Sequence, residues 1–187
     1  STKSVTAANA LVTITDSSGT LAATDLSGIG AKTSGEVTVS NGITISGTQA
    51  DVTNALVHAT KSVTAASAVV TITDAAYSVS NTKLAASDLS AIGGKTGGNV
   101  TASAAIRMRG NQAEVKAALI GGSSIIAGAA GTTAEITDDV SASEGAEIVD
   151  VANVTGIFEG GVIDAFASLV TAGVGTTTNL NKIAGQD

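Results

Sequence analysis

The stretch KSVTAANALVTITD, from Lys3 to Asp16, returns almost unchanged as KSVTAASAVVTITD, from Lys61 to Asp74. The block that follows, LAATDLSGIGAKTSG (21–35), returns as LAASDLSAIGGKTGG (84–98). The first pair is offset by fifty-eight residues and the second by sixty-three, so the second copy carries five extra residues between the two blocks. Surface loops tolerate such insertions, and we therefore predict a loop at Ala75–Lys83.

A third pair of segments completes the repeated unit. EVTVSNGITISGTQADVTNAL (36–56) returns as NVTASAAIRMRGNQAEVKAAL (99–119), in the same order as the earlier blocks. A more divergent copy follows, in which AEITD (134–138) stands where the first two copies have VTITD. We interpret the chain as one repeat array over residues 1–187, with copy one at 3–60, copy two at 61–124 and an acidic, divergent copy three at 125–187.

Within each copy, the spacing of apolar residues alternates between a period of two and a period near 3.6. VTITD (12–16) alternates valine and isoleucine with threonine, which predicts a strand with one apolar face. Segment 22–35 has helical spacing and ends at a glycine, and segment 37–45 again alternates. Thr48 and Asn111, each followed three residues later by an acidic residue, predict the start of a second helix.

Each copy is therefore predicted to run strand, helix, strand, helix. Short helices between strands favour parallel strands joined by right-handed crossovers. The predicted fold class is α/β, as a solenoid-like stack of strand–helix units in which each unit packs mainly against its neighbours. An all-β solenoid and stacked β-sandwiches are the alternatives, because Thr, Val and Gly are abundant and the first helix has modest propensity.

The composition narrows the class of function. Hydrophobic residues make up 43 % of the chain and aromatic residues 2 %, and there is no cysteine for a disulfide or a cysteine-ligated metal. The net charge is −7, and from Ala134 onward nine acidic residues stand against Lys182 alone. An acidic surface with few aromatic residues argues against nucleic-acid partners. The longest uncharged stretch, 117–134, is interrupted by Gly, Ser and Thr, so we expect a turn-rich connector there and no membrane insertion.

Three aspartates recur after the first strand of each copy and are the weak candidates for a metal site. Asp16, Asp74 and Asp138 could hold calcium if their carboxylates lay in register along a stack. Aspartate at the end of a strand more often forms an Asx-turn or a cap for the next element. The chain has no D-x-D-x-D calcium loop, so no cofactor is predicted beyond this possible calcium.

The acidic third copy supports a second function of a different class. Four acidic residues could line a groove that binds carbohydrate or ions, or that hydrolyses a glycosidic bond with paired carboxylates: Glu144, Glu147, Asp150 and Glu159. Three of them share one predicted helix, where a solvated face is the commoner explanation. His58 has no partner motif, and no catalytic motif is present in the sequence, so we do not expect an enzyme.

The repeat text resembles that of a known class of proteins. VTITD, LAASDLSAIGGKTGG, ITISGTQADVTNAL and MRGNQAEVKAAL resemble degenerate repeats in giant cell-surface and extracellular proteins of marine cyanobacteria. Similar Ala/Thr/Gly-rich repeats occur in tail-fibre-like proteins of the phages that infect them. The resemblance implies a non-catalytic structural or adhesive module of a large extracellular surface protein, appendage or fibre. Its partners would be neighbouring repeats of the same chain or identical chains, together with a cell surface or a polysaccharide.

Overall fold

The computed structural model describes residues 8–58, 63–78, 83–120, 125–126, 131–160 and 183–184. The strands are β1 (Val12–Ile14), β2 (Thr20–Ala22), β3 (Val37–Val39), β4 (Thr44–Gly47), β5 (Val63–Thr64), β6 (Val69–Ile72), β7 (Leu84–Ala85), β8 (Val100–Ala102), β9 (Arg107–Gly110), β10 (Ile125–Ile126), β11 (Thr132–Ile136), β12 (Val154–Phe158) and β13 (Ile183–Ala184). The helices are α1 (Ala23–Gly30), α2 (Gln49–Leu56), α3 (Ala86–Gly93), α4 (Gln112–Leu119) and α5 (Ala142–Val149).

The strands form three parallel sheets. The first sheet has the order β1-β3-β5, the second β10-β8-β6-β4-β2 and the third β13-β12-β11-β9-β7. Along each sheet the chain returns to the next strand after 22 to 30 residues, as when Val12 pairs with Val37 and Val37 with Val63. The predicted α/β class with parallel strands is confirmed, and the five helices of the described residues contradict the all-β alternatives.

The prediction of one strand before each helix is wrong. The chain before a helix forms more than one strand, and these strands belong to different sheets. β1 and β2 precede α1, and β3 and β4 precede α2. Gly19 lies between β1 and β2 with φ of 111°, a left-handed conformation that glycine adopts without steric cost. The chain therefore turns a corner at Gly19 where a continuous strand would have stayed in one sheet.

The helix starts agree with the capping signals in the sequence. The Thr48 side chain accepts from the Asp51 amide, and Asn111 and Glu114 form a complete capping box at the start of α4. Ser141 and Glu144 form another capping box at the start of α5. Each helix has only eight residues and is marginal in isolation. Caps and apolar packing hold α2, α4 and α5, whereas α1 and α3 have no side-chain cap and depend on the packing of their apolar faces.

The core consists of small aliphatic side chains in thin layers. Ile45, Val70 and Val100 lie in register on β4, β6 and β8, and each is at most 1 % exposed. The helices pack against one another in chain order on the same core. In copy three the larger Phe158 is buried against Gly145 and Gly156, which lack the side chains that would otherwise fill its space.

Copy two is displaced sideways by one sheet relative to copy one. β1 and β3 lie in the first sheet, whereas the matching strands β6 and β8 lie in the second. The displacement follows from β5, which pairs with β3 and so leads the next strand, β6, onto β4. In copy two β7, which matches β2 of copy one, follows β6 and begins the third sheet.

The predicted loop Ala75–Lys83 is confirmed over its described residues, 75–78 and 83, which form neither helix nor strand. Within the predicted loop Ala75–Lys83, Tyr77 is half-buried and its amide donates to the Ala105 carbonyl at 2.8 Å. The expected connector at 117–134 is wrong over its described parts, since it contains the end of α4, all of β10 and the start of β11.

Candidate functional site

The densest group of charged side chains lies on the outer face of the third sheet. Arg107 and Arg109 on β9 pair in register with Thr133 and Glu135 on β11. Because side chains alternate along a strand, all four point to the same face, away from the buried Met108. We call the group formed by Lys83, Arg107, Arg109, Glu135, Glu159 and Tyr77 the Glu135 cluster.

Glu135 is the centre of this cluster and is fully buried, with 0 % of its surface exposed. Its Oε1 lies 2.6 Å from Lys83 Nζ and 2.6 Å from Arg109 Nε, while Arg107 forms an ion pair with Oε2. Three cations thus surround one carboxylate. Because a buried carboxylate is costly unless it is paired and hydrogen-bonded, the cluster satisfies a group that the core could not otherwise hold.

Further contacts extend the cluster outward. Arg109 Nη2 lies 2.7 Å from Glu159 Oε2, and Lys83 Nζ lies 3.9 Å from Glu159 Oε1. Arg107 Nη1 donates to the Tyr77 hydroxyl at 2.6 Å, and the Arg107 guanidinium stands 4.8 Å from the centre of the Tyr77 ring. The cluster therefore fastens the segment around Tyr77 to the face of the third sheet.

The electrostatics keep Glu135 ionised. Burial by itself raises the pKa of the Glu135 carboxyl, but the charged hydrogen bonds of Lys83 and the two arginines outweigh burial and lower this pKa to about 2. Glu159 and Glu135 in turn raise the pKa of Arg109. A carboxyl that is ionised at neutral pH carries no proton to donate, so Glu135 is unsuited to act as a general acid there.

An open cleft of about 380 Å³ lies beside the cluster, between Lys83 and Arg109 on one side and Asn111 and Glu114 on the other. The first amides of α4 border it but already have acceptors. The Glu114 amide donates to Asn111 Oδ1 at 2.9 Å, and the Gln112 amide donates to Asp138 Oδ1 at 2.7 Å. These acceptors occupy the positions that an anion would need at the helix N-terminus.

Two of the recurring aspartates form hydrogen bonds that link one segment of the chain to another. Asp74 Oδ2 accepts from the Gln49 amide at 2.6 Å, and Asp138 Oδ1 accepts from Gln112. Each aspartate follows one strand and caps the helix that follows the paired strand. That helix begins about 25 residues earlier in the chain. Asp16 is exposed, and its backbone carbonyl accepts from the Asn41 side chain. Within the described residues, no three His, Asp or Glu side chains lie together in a group that could hold a metal ion.

The four acidic residues of copy three have separate surroundings. Glu144 accepts from the Ser141 amide, which with the Ser141 hydroxyl lowers the pKa of Glu144. Glu147 forms an ion pair with Lys116, Asp150 caps the C-terminus of α5, and Glu159 belongs to the Glu135 cluster. Glu144 and Glu147 thus lie on α5 and bond to the N-cap of that helix and to α4 respectively, whereas Glu159 follows β12 and contacts Arg109.

Sequence reasoning did not identify Glu135 as a central residue. The signal was a pair of exchanges between copies: ITISG in copy one becomes IRMRG (106–110) in copy two, and VTITD becomes AEITD (134–138) in copy three. The first exchange introduces two arginines and the second a glutamate. Only the pairing of β9 with β11 places them together.

No protein-family model matches the chain, and neither the curated proteins nor the solved structures include one with significant similarity to it. Among the described residues, no helix is long and apolar enough to cross a membrane.

Proposed function

We propose that this chain is a non-catalytic structural or adhesive repeat module of a large extracellular surface protein, appendage or fibre, built as a solenoid-like stack of strand–helix units. One observation carries the proposal: strands 22 to 30 residues apart pair in parallel, one after another, in all three sheets. Such a ladder can be lengthened by adding units without changing those already present. Extension by copying is what a spacer or fibre requires.

The polar contacts support the same function. Asp74 and Asp138 bond to helix starts in neighbouring segments, and Arg109 bonds to Glu135 across neighbouring strands. These recurring or buried charges therefore join one segment to the next. The resemblance of the repeat text to cyanobacterial surface proteins supports an extracellular location and contact with a cell surface or a polysaccharide.

Single-molecule stretching of the full chain, placed between marker domains of known unfolding length, tests the stack. A stack of nearly independent segments unfolds in several steps of roughly 25 residues, each releasing about 90 Å of contour length. One step that releases the whole chain at once would contradict the proposal, because it would indicate a single cooperative globule.

A polysaccharide screen separates the structural function from the enzymatic alternative. The full chain is incubated with a panel of neutral and acidic polysaccharides, and reducing ends are measured beside retention of the protein on each polymer. We expect retention on some polymers at most, and no turnover. Turnover that disappears in Glu147→Gln or Glu159→Gln would favour a glycoside hydrolase instead.

A further inference from the structure

The open cleft beside the Glu135 cluster lies at the carboxyl ends of three neighbouring strands of the third sheet. Its lining includes Leu84 and Ala85 of β7, Gly110 of β9 and Thr137, which follows β11. Ligands of open α/β sheets bind in the crevice outside the carboxyl ends of the strands. The volume of about 380 Å³ also falls within the range of about 300–1,000 Å³ that is typical of small-ligand sites. Position and size therefore suit a small ligand.

The two walls of the cleft carry different polar groups. One wall has the cations Lys83 and Arg109, whose side chains are 37 % and 46 % exposed. The other wall has Asn111 and Glu114, which form the capping box of α4. The box uses Asn111 Oδ1 and Glu114 Oε2. The Asn111 side-chain NH₂ and the second Glu114 oxygen therefore lie outside the box, where a ligand can bond to them.

The cations keep donors that the Glu135 cluster does not use. Arg109 donates through Nε to Glu135 and through Nη2 to Glu159, and no described residue accepts from its Nη1. Lys83 Nζ has three donors, and its one close carboxylate oxygen lies at 2.6 Å. The cluster contains three cations and two carboxylates, so it has a surplus of one positive charge. An anion in the cleft can therefore pair with these side chains without the amides of α4, which already have acceptors.

The cations distinguish this cleft from the matching place in copy one. At the ends of β2 and β4, Thr20 and Ser46 stand where copy two has Lys83 and Arg109. The capping of the following helix is kept, with Thr48 as the N-cap of α2. The two positive side chains are thus an addition to a frame that the repeat already uses, and capping alone does not require them.

We propose that the cleft binds a uronic acid residue of an acidic polysaccharide. Its carboxylate would pair with Lys83 and Arg109, while its hydroxyls donate to Glu114 and accept from Asn111. The described residues that line the cleft include no aromatic side chain on which a neutral sugar could stack, so charge pairing has to supply the recognition. The proposal deepens the proposed function and rests on it, because it assigns the contact with a polysaccharide to a defined site and ligand.

Isothermal titration calorimetry of the full chain tests the site with trimers of galacturonate, mannuronate and guluronate. We expect at least one trimer to bind with a dissociation constant of about 1 mM or below. Its methyl ester keeps the hydroxyls but lacks the charge, and should bind roughly tenfold more weakly or worse. Added NaCl should also weaken the binding of the free acid, because the cations are partly exposed.

Variants that introduce copy-one residues test the assignment of the contacts. Arg109→Ser should weaken binding of the trimer roughly tenfold or more. Asn111→Thr keeps a capping oxygen but loses the amide donor, and should weaken binding roughly fivefold without disturbing the Glu135 cluster. Lys116→Ser is the matched control, since it also removes one positive charge, but from an exposed ion pair outside the lining of the cleft. It should leave binding unchanged.

Three results would each overturn the site: binding of none of the three trimers, equal binding of the methyl esters, or an affinity that Asn111→Thr and a folded Arg109→Ser leave unchanged. Circular dichroism of the variants shows whether they keep the fold. Stepwise unfolding under force would still support the repeat module in each case, so failure of the site and failure of the proposed function are distinguishable.

Discussion

Arg109 on β9 and Glu135 on β11 lie directly opposite each other in the third sheet, at the position where Ser46 and Thr71 oppose each other in the second. Two neutral hydroxyl side chains in one sheet are thus replaced by an ion pair in the next. Arg109 and Glu135 are 26 residues apart in the sequence and become neighbours because strands of successive copies pair with each other. A change in one copy is therefore compensated by a change in the next copy, and not within the same copy.

Loss of the central carboxylate should destabilise the protein strongly. Glu135→Gln keeps the volume of the side chain but leaves Arg107, Arg109 and Lys83 without their shared anion, so we expect a loss of about 3 kcal/mol or more in the free energy of unfolding. Urea denaturation measures it. Glu147→Gln is the control, because its ion pair with Lys116 is exposed and should contribute under about 1 kcal/mol. Equal losses in the two variants would contradict the importance of burial.

The same carboxylate predicts a pH dependence. The pKa of Glu135 is lowered from 4.5 to about 2 in the folded protein, so the unfolded chain binds the proton first as the pH falls. The stabilisation is complete above about pH 4.5 and is lost as the pH falls towards 2. The difference in unfolding free energy between the wild type and Glu135→Gln should shrink over that window. A difference that stays constant from pH 6 to pH 2.5 would show that Glu135 is not held ionised.

Gly98 is required by a close approach of two backbone segments. A Cβ at Gly98 would overlap the carbonyl of Ala68, a backbone atom that cannot move aside like a side chain. We expect Gly98→Ala to cost at least about 2 kcal/mol of unfolding free energy. The control is Gly94→Ala, where a Cβ would meet nothing closer than 3.5 Å and where copy one already has Ala31. Thermal unfolding of both variants should show a large decrease for Gly98→Ala alone.

The helix cap between segments gives a further prediction. Asp74→Ala removes the acceptor of the Gln49 amide at the start of α2, and the loss of an N-terminal cap costs about 1 kcal/mol. Asp16→Ala, the matched change in copy one, should have little effect on the monomer. Because Asp74 and Asp138 bond to amides, addition of calcium should leave the melting temperature of the wild type unchanged. A calcium-dependent rise that disappears in Asp74→Ala would revive the metal site.

The helices and the parallel arrangement could be predicted from the sequence because their signals are local. Thr48 and Asn111 mark helix starts by the polar atom that caps the first turn. The expected helix end at Gly35 is wrong, because α1 ends at Gly30 with Ala31 as its C-cap, and Gly35 instead lies against the Ala10 carbonyl.

The corner at Gly19 was missed because a single glycine between two alternating segments fits either a strand end or a turn within one strand. The strands of copy two lie one sheet further along than those of copy one because β5 pairs with β3. This pairing is a contact between copies, which local sequence signals do not reveal.

The candidate site was less predictable than the fold. From the sequence alone, Glu135 is predicted to lie on the outward face of a strand, and a glutamate on that face is ordinarily exposed to solvent. Its burial depends on Lys83, Arg107 and Arg109, which precede it by 26 to 52 residues and reach it only through strand pairing. The aspartates Asp74 and Asp138 were correctly expected to suit capping, but the helices that they cap are those of neighbouring segments.

A disulfide across the boundary between copies tests the parallel ladder most directly. The natural chain has no cysteine, and Ser46 on β4 and Thr71 on β6 lie directly opposite, one strand spacing of roughly 4.8 Å apart. Ser46→Cys/Thr71→Cys should form a disulfide within the monomer under mild oxidation. Ser46→Cys/Thr101→Cys, whose positions are two strand spacings apart at roughly 9.6 Å, should not. Equal cross-linking of the two pairs, or none in the first, would contradict the account.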